Sequence, residues 1–248
     1  MNLRRLILPA LLIFSLQANA SDIVVSAAAS LTNVFGTVAK AYESKHPGTH
    51  VVLNFAASDV LMQQIANGAP ADVFASADET AMDKAEKQGV VQKGTRRDFA
   101  ANELVLIVPA AGKFTPASLN DLTSKDVGKV AVADPASVPA GRYTKSALEA
   151  ARLWEPVSAK AVLAQNVRQA LDYVARDEVD AGFVFATDAT IAAGKVRVAM
   201  RVPTPTPITY PLAVVAHSKQ PAEAKAFTDF VLSPEGQGLL AKAGFHHP

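Results

Sequence analysis

The chain has 248 residues, half of them hydrophobic and 19% charged, with a formal net charge of +1 and no cysteine. This length is enough for one large or two modest α/β domains with a sizeable core. The near-zero net charge argues against a protein that coats nucleic acid or an anionic membrane surface, because both need a basic surplus. The lack of cysteine excludes disulfide frameworks, thiolate zinc sites and cysteine nucleophiles.

Residues 1–20 have the three parts of a secretory signal peptide. A short basic region, MNLRR, precedes the apolar run LILPALLIFSL and the small-residue segment ANA. An uncleaved membrane anchor is the alternative, but the apolar run is shorter than the roughly 20 residues of a membrane-spanning helix. We therefore predict cleavage after Ala20 and a mature periplasmic chain that begins at Ser21 and does not insert into the membrane.

The first third of the mature chain alternates between strand and helix patterns. The strand-like segments DIVVSAAA, THVVLNFA and ADVFASAD are each followed by a segment with helical periodicity. In the first of these helices, apolar residues recur at helical spacing: Leu31, Val34, Phe35, Val38 and Tyr42. Such alternation is typical of a parallel sheet covered by helices on both faces.

The rest of the chain repeats this scheme. NELVLIVP, GKVAVADP and AGFVFATDA are predicted strands, and TKSALEAARLW and NVRQALDYVARDEVD are predicted helices. The Pro-rich segment VPTPTPITYP is interpreted as a connector to the strand LAVVAHS, which a single long helix, AEAKAFTDFVLSPEGQGLLAKAGF, follows. The predicted fold class is α/β.

Four predicted helix starts directly follow strand ends, at Ser30, Ser58, Ala140 in PAG and Val167 in NVR. For the two serines, one interpretation is N-capping, in which the side-chain oxygen accepts an N–H of the first turn. The other is an anion cradle, because helix starts at the carboxyl edge of a parallel sheet present free N–H groups and a positive dipole end. Several such starts that converge on one point would bind an anion without a charged side chain.

Five segments carry a resemblance to a known family. AAASLT, GAPADVFASAD, DPASVPAGRY, NVRQAL and GFVFATDA, in this order and spacing, resemble the periplasmic molybdate-binding proteins of molybdate ABC transporters, over essentially the whole mature chain. The resemblance implies a two-lobed periplasmic solute-binding fold, in which each lobe is a mostly parallel sheet flanked by helices and the ligand lies in the cleft. It implies lobe 1 at residues 21–103 plus 213–248 and lobe 2 at 104–212, with the hinge near Glu103 and Pro211.

The resemblance also implies the ligand and partners. The ligand would be molybdate or tungstate, bound as the oxyanion with no protein atom on the metal, and no cofactor would be needed. The partner would be an inner-membrane ABC transporter permease. We expect a monomer, because a single cleft has to open and close freely.

Carried over by position, the resemblance assigns five ligand contacts. Ser30 and Ser58 would each donate a backbone N–H and a hydroxyl, and Ala140 and Val167 would each donate a backbone N–H. Phe185 stands where the family usually has a tyrosine whose hydroxyl touches the anion. One hydrogen bond of the family pattern is therefore missing here, or is replaced by water or another residue.

Two charged residues near these positions need an explanation. Asp59 follows Ser58 directly, and we expect it to stabilise the helix dipole as a first-turn acid that points away from the cleft. Arg142, just after PAG, is either a compensating cation or a solvated side chain, and we expect the solvated side chain.

An all-donor site predicts the order of ligand preference. Phosphate keeps a proton at neutral pH, and a site without acceptors leaves that O–H unpaired at a cost of about 1–3 kcal/mol. Sulfate carries no proton, so only the size of the site can reject it. Tungstate is nearly the size of molybdate and should be accepted.

Two alternatives stay open. A secreted serine hydrolase would need a base near the serines, yet none of the histidines lies in a strand-end loop with the serine motifs: His46, His50, His217, His246 and His247. A G-x-S-x-G elbow is also missing, although a Ser–Lys arrangement remains open. We therefore expect a protein that is not an enzyme. The second alternative is a binding protein for another solute, such as sulfate, thiosulfate or an iron chelate.

Overall fold

A computed structural model describes residues 21–248, and the predicted signal peptide, residues 1–20, lies outside the described residues. The described chain forms two five-stranded sheets, each flanked by helices, which confirms the two-lobed α/β architecture. The strands are β1 (Ser21–Ala28), β2 (Thr49–Ala56), β3 (Val73–Ala75), β4 (Arg97–Asn102), β5 (Leu104–Pro109), β6 (Val130–Ala133), β7 (Ala161–Ala164), β8 (Ala181–Phe185), β9 (Val196–Val202) and β10 (Ile208–Val214). The helices are α1 (Thr32–Lys45), α2 (Ser58–Ala66), α3 (Glu79–Lys87), α4 (Pro139–Ala150), α5 (Trp154–Ser158), α6 (Val167–Ala175), α7 (Ala186–Ile191), α8 (Pro221–Leu232) and α9 (Pro234–Lys242).

The two sheets share one topology. The first has the order β2-β1-β3-β10-β4 and the second the order β7-β6-β8-β5-β9. In each, the first three strands run parallel and the fourth is antiparallel to both of its neighbours. Below, lobe 1 is the first sheet with α1–α3, α8 and α9, and lobe 2 is the second sheet with α4–α7.

The chain crosses between the sheets twice. The first crossing passes through Glu103, between β4 and β5, and the second lies between the end of β9 at Val202 and the start of β10 at Ile208. All of β10 pairs within the first sheet, so the second crossing comes before the expected 212/213 boundary and Pro211 lies inside a strand. A register shift between Tyr210 and Pro211 explains how a residue without an N–H fits there, because proline is tolerated at bulges.

The last predicted helix is two helices. The helix α8 ends at Leu232, and α9 begins at Pro234, where proline occupies the first position of a helix. Ser233 lies between them, and its Oγ accepts the N–H of Gly236 at 3.2 Å. The strands β4, β7 and β9 were not predicted, and all three lie at sheet edges.

The core lies where helices cover the sheets. All six residues of β5 are buried, and α1 buries the apolar face that its spacing predicts, with Val34, Phe35, Val38 and Tyr42. Each large apolar side chain removed from water contributes about 1.5–3 kcal/mol. Among residues 21–248, no helix combines the length and the apolar character that crossing a membrane requires.

Candidate ligand-binding cleft

All five residues predicted to bind ligand line one small cavity between the lobes. Ser30 and Ser58 come from lobe 1, and Ala140, Val167 and Phe185 come from lobe 2. The other lining residues are mostly small or apolar: Ala28, Ala29, Ala56, Ala57, Ala77, Val138, Pro139 and Asn166. The cavity volume is about 10 Å³, which is room for roughly one water molecule, so the structure is of a tightly closed form.

Three helices begin at this cavity. Ser58 is the first residue of α2, Ala140 the second of α4 and Val167 the first of α6. The N–H groups of a first helical turn have no acceptor within the helix, so they are available to a ligand. Ser30 lies in a short 3₁₀ turn, Ala29–Leu31, that leads into α1.

A glycine explains how α4 comes so close to the sheet. A Cβ at Gly141 would lie 2.0 Å from the carbonyl oxygen of Ala133, the last residue of β6, and 2.8 Å from the carbonyl carbon of Asp134. Only glycine therefore allows the start of α4 to pack directly against the end of β6. This contact brings the neighbouring Ala140 N–H to the cleft.

The cap of α6 leaves the first N–H of that helix free for the cleft. Asn166 is the N-cap, and its Oδ1 accepts the N–H of Gln169 at 3.0 Å. This bond satisfies the third N–H of the helix. The first, that of Val167, has no acceptor within the helix and is not used by the cap.

The two serines are not N-caps, so the capping interpretation is wrong. No side-chain capping bond occurs at the start of α1 or α2. Instead, Ser58 Oγ accepts the N–H of Ala77 at 3.1 Å, and Ser30 Oγ accepts a bond from Tyr210 Oη at 3.2 Å. Each hydroxyl thus receives one hydrogen bond from the protein and keeps its own proton for a partner in the cavity.

Phe185 adds an apolar wall and no hydrogen-bonding group. It ends β8, is 1% exposed and packs edge-on against two tyrosine rings, those of Tyr210 and Tyr143, at centroid distances of 5.7 and 6.3 Å. Neither of those tyrosines lines the cavity.

Arg142 bridges the two lobes, which corrects the expectation of a solvated side chain. Its Nη2 lies 2.6 Å from Asp59 Oδ2 and its Nε 2.7 Å from Asp78 Oδ2, both in lobe 1. Asp59 also pairs with Lys84, so two cations face two carboxylates. Asp59 does not line the cavity, as expected, but its carboxylate is directed toward lobe 2 and not toward solvent. The reason is that the guanidinium group of Arg142 can bind two carboxylates at once.

A second arginine, Arg168 of α6, bridges the lobes beside Ser30. It donates through Nη1 to Asn33 Oδ1 at 2.7 Å and through Nη2 to the backbone oxygen of Ser30 at 3.1 Å. Its Nε pairs with Asp188 of its own lobe. Asp188 is fully buried, and burial raises the pKa of its carboxyl to about 6 although the Arg168 charge opposes this rise.

The chemistry of the cleft is that of hydrogen-bond donors without acids or bases. The cavity lining contains no histidine, lysine, arginine or carboxylate. Within residues 21–248, no group of three or more His, Asp or Glu side chains could hold a metal ion. The cleft as built therefore fits an anion held by neutral donors.

Several residues around the site were not predicted to take part in it. Tyr210 lies in a segment that was interpreted as a connector. Arg168 and Asp188 lie within the segments NVRQAL and GFVFATDA, but their contacts, like that of Asn102, form only because separate parts of the chain meet near the cleft. Arg142 lies within the segment DPASVPAGRY, but its partners Asp59 and Asp78 are in the other lobe.

Two lobes joined by two strand crossings, with a small donor-lined cavity between them, define a two-lobed solute-binding protein. The model of the family described as bacterial extracellular solute-binding protein matches residues 23–246, so the chain belongs to that family.

Curated relatives and a solved structure confirm the resemblance to molybdate-binding proteins. The chain is 38% identical to the molybdate-binding protein of Escherichia coli over 92% of this chain and 90% of the relative. It is 37% identical to a putative ABC transporter substrate-binding lipoprotein of Bacillus subtilis over 90% of this chain and 85% of the relative. The periplasmic molybdate-binding protein of Azotobacter vinelandii superposes with a TM-score of 0.81 at 25% identity, covering 91% of this chain and 99% of that chain.

Proposed function

We propose that this protein binds molybdate or tungstate in the cleft between its lobes, in the periplasm, and delivers the anion to an ABC transporter permease. The observation that carries the proposal is the convergence of Ser30, Ser58, Ala140 and Val167 on one buried cavity. These residues offer backbone N–H groups from both lobes and two hydroxyls from lobe 1.

The donor set supports an unprotonated dianion. A tetrahedral dianion has only acceptors, so a cleft lined with donors suits it. Phosphate carries a proton at neutral pH and would find no carboxylate in the cavity lining to accept it. That unpaired O–H costs about 1–3 kcal/mol, which disfavours phosphate.

The charges around the cleft also support binding through backbone donors. Arg142 and Arg168 both lie near the cavity, but Asp59, Asp78 and Asp188 neutralise them. Neither arginine is therefore left as an uncompensated cation that would attract any anion regardless of its shape. Fixed N–H groups and hydroxyls select by geometry as well as by charge, which suits a protein that must choose among oxyanions.

Sulfate is the second candidate, because it is also an unprotonated tetrahedral dianion and the same donors suit it. The two candidates differ in size, and the names of the relatives from Escherichia coli and Azotobacter vinelandii favour molybdate.

Thermal melting against a panel of anions tests the proposal. A ligand that binds only the folded state stabilises it by RT ln(1 + [L]/Kd), about 2.7 kcal/mol at a hundredfold excess over Kd. Molybdate and tungstate should each raise the melting temperature, and sulfate and phosphate at the same concentration should change it little. A larger shift with sulfate would reject molybdate in favour of the second candidate.

A further inference from the structure

The hydroxyl of Ser30 ends a chain of buried hydrogen bonds that begins at the strand crossings. Tyr210 Oη donates to Ser30 Oγ at 3.2 Å, and Asn102 Nδ2 donates to Tyr210 Oη at 3.3 Å. The three residues are at most 7% exposed. Asn102 is the last residue before the first crossing, and Tyr210 lies in β10 just after the second.

The direction of this chain follows from the Asn102 amide. Its Oδ1 accepts the N–H of Glu103 at 2.9 Å, so its NH2 group must face Tyr210 Oη and Thr187 Oγ1. An amide NH2 group can only donate, so the Tyr210 oxygen accepts there, and its own proton goes to its other partner, Ser30 Oγ. The Ser30 proton is then left for a partner in the cavity.

The surroundings hold Tyr210 in place as a donor. Burial raises the pKa of its phenol well above the ordinary value, so it stays protonated at neutral pH. The Phe185 ring packs against the Tyr210 ring at 5.7 Å, and the register shift at Tyr210 and Pro211 sets the direction of the side chain.

We propose that Tyr210 is a positioning residue for oxyanion binding: its hydroxyl, oriented by Asn102, fixes the Ser30 hydroxyl as a donor to the anion. This inference rests on the proposed function, since it assigns a role at the same site. Asn102 also donates to Thr187 of lobe 2 at 2.9 Å, so the orientation of the Ser30 donor depends on a group that both lobes contact at the crossing.

A double-mutant cycle tests this role, with molybdate as the probe in calorimetric titrations of wild type, Tyr210→Phe, Ser30→Ala and the double variant. Tyr210→Phe keeps the ring and should weaken affinity by about threefold to tenfold in the presence of Ser30. In the Ser30→Ala background it should change affinity by less than about twofold, because the group it positions is gone. Tyr42→Phe, which alters a buried tyrosine on α1 that does not line the cavity, is the matched control and should bind like wild type.

The outcomes separate the two proposals. If wild type does not bind molybdate, the proposed function fails and this role fails with it. If wild type binds molybdate but Tyr210→Phe weakens affinity by the same factor with and without the Ser30 hydroxyl, or does not weaken it, the positioning role alone is overturned. Melting temperatures of the four free proteins check that each variant folds.

A measurement without ligand gives a second test of the bond itself. The Tyr210 hydroxyl proton should exchange slowly enough for NMR, because the group is buried and hydrogen-bonded. Its resonance should vanish in Tyr210→Phe and shift in Ser30→Ala. An unshifted resonance in Ser30→Ala would show that Tyr210 does not donate to Ser30, and would overturn the proposal.

Discussion

The Ser58 hydroxyl both stabilises the fold, as a hydrogen-bond acceptor, and faces the cleft as a donor. Its Oγ accepts the buried N–H of Ala77, and its own proton is available to the cavity. Ser58→Ala should weaken molybdate affinity by about tenfold to a hundredfold, because it removes a hydrogen bond to a charged acceptor. It should also lower the melting temperature of the free protein, since the Ala77 N–H loses its acceptor.

The matched control for this prediction is Ser44→Ala, which removes an exposed hydroxyl from α1, away from the cavity. Calorimetry on folded protein separates affinity from stability. If Ser58→Ala binds molybdate as tightly as wild type does, the Ser58 hydroxyl is not a ligand contact.

Asp188 predicts a pH dependence of stability. Burial raises the pKa of its carboxyl from about 3.8 to about 6, against the opposing charge of Arg168. Because the folded state then binds the proton more tightly than the unfolded state, the free energy of unfolding falls as pH rises through this range. Relative to Asp188→Asn, the free energy of unfolding of wild type should fall by roughly 2 kcal/mol between pH 4 and pH 7.

Urea unfolding of wild type and Asp188→Asn at several pH values measures this difference, and the shared contributions of other carboxylates cancel. A difference that stays constant from pH 4 to pH 7 would mean that Asp188 is not the buried acid that the structure indicates.

At the scale of elements, α2 and α4 are joined by a contact that can exist only when the lobes are closed. Arg142 of α4 contacts Asp59 of α2 and Asp78 just before α3, and both partners belong to lobe 1. Arg142→Met should therefore weaken molybdate affinity by about tenfold or more and speed dissociation, because closure would leave charges without their partner. Stopped-flow dissociation rates and calorimetry measure the two effects.

Lys145→Met is the matched control, because it removes the same charge from the same helix while its partner, Glu149, lies in its own lobe. Adding Asp78→Asn to Arg142→Met should recover part of the loss, since Asp78 loses its cation in Arg142→Met whereas Asp59 keeps Lys84, and asparagine retains the oxygen that caps α3. If Arg142→Met and Lys145→Met change molybdate affinity and dissociation rate equally, the effect comes from the loss of a positive charge and not from the contact between the lobes.

Most elements with strong local patterns were predictable from the sequence. The amphipathic spacing of α1 and the apolar runs of β5 and β6 are local properties, and they appear in the structure as predicted. The strands that were missed have weaker signals: β4 and β9 carry charged residues, and β7 has four residues. The predicted strand AGFVFATDA ends at Phe185, and its last four residues belong to α7. The break between α8 and α9 could have been found from Ser-Pro, because proline ends a helix or begins the next.

In the site, too, local features were predictable from the sequence and long-range contacts were not. Ser30, Ser58, Ala140, Val167 and Phe185 were identified because each lies in a local motif, and all five line the cavity. The contacts that orient them could not be predicted, since they join residues far apart in the chain. Tyr210 and Ser30, for example, are separated by 180 positions.

At the scale of the whole molecule, a cavity that both lobes line predicts closure on the ligand. An anion that binds donors from both lobes favours the closed form by its differential affinity for that form. Small-angle scattering should show a smaller radius of gyration with saturating molybdate than without it. An identical profile would indicate a site formed by one lobe, or a protein that is already closed without ligand.

The most direct test of the cleft is calorimetric titration of the mature chain with molybdate, sulfate and phosphate under one set of conditions. We expect molybdate to bind at one site per chain and phosphate to bind about tenfold or more weakly, because its proton finds no acceptor. Sulfate should also bind more weakly than molybdate, because its smaller size stretches the same hydrogen bonds. Equal or tighter binding of sulfate or phosphate, or the absence of molybdate binding, would contradict a cleft built from neutral donors for a large tetrahedral dianion.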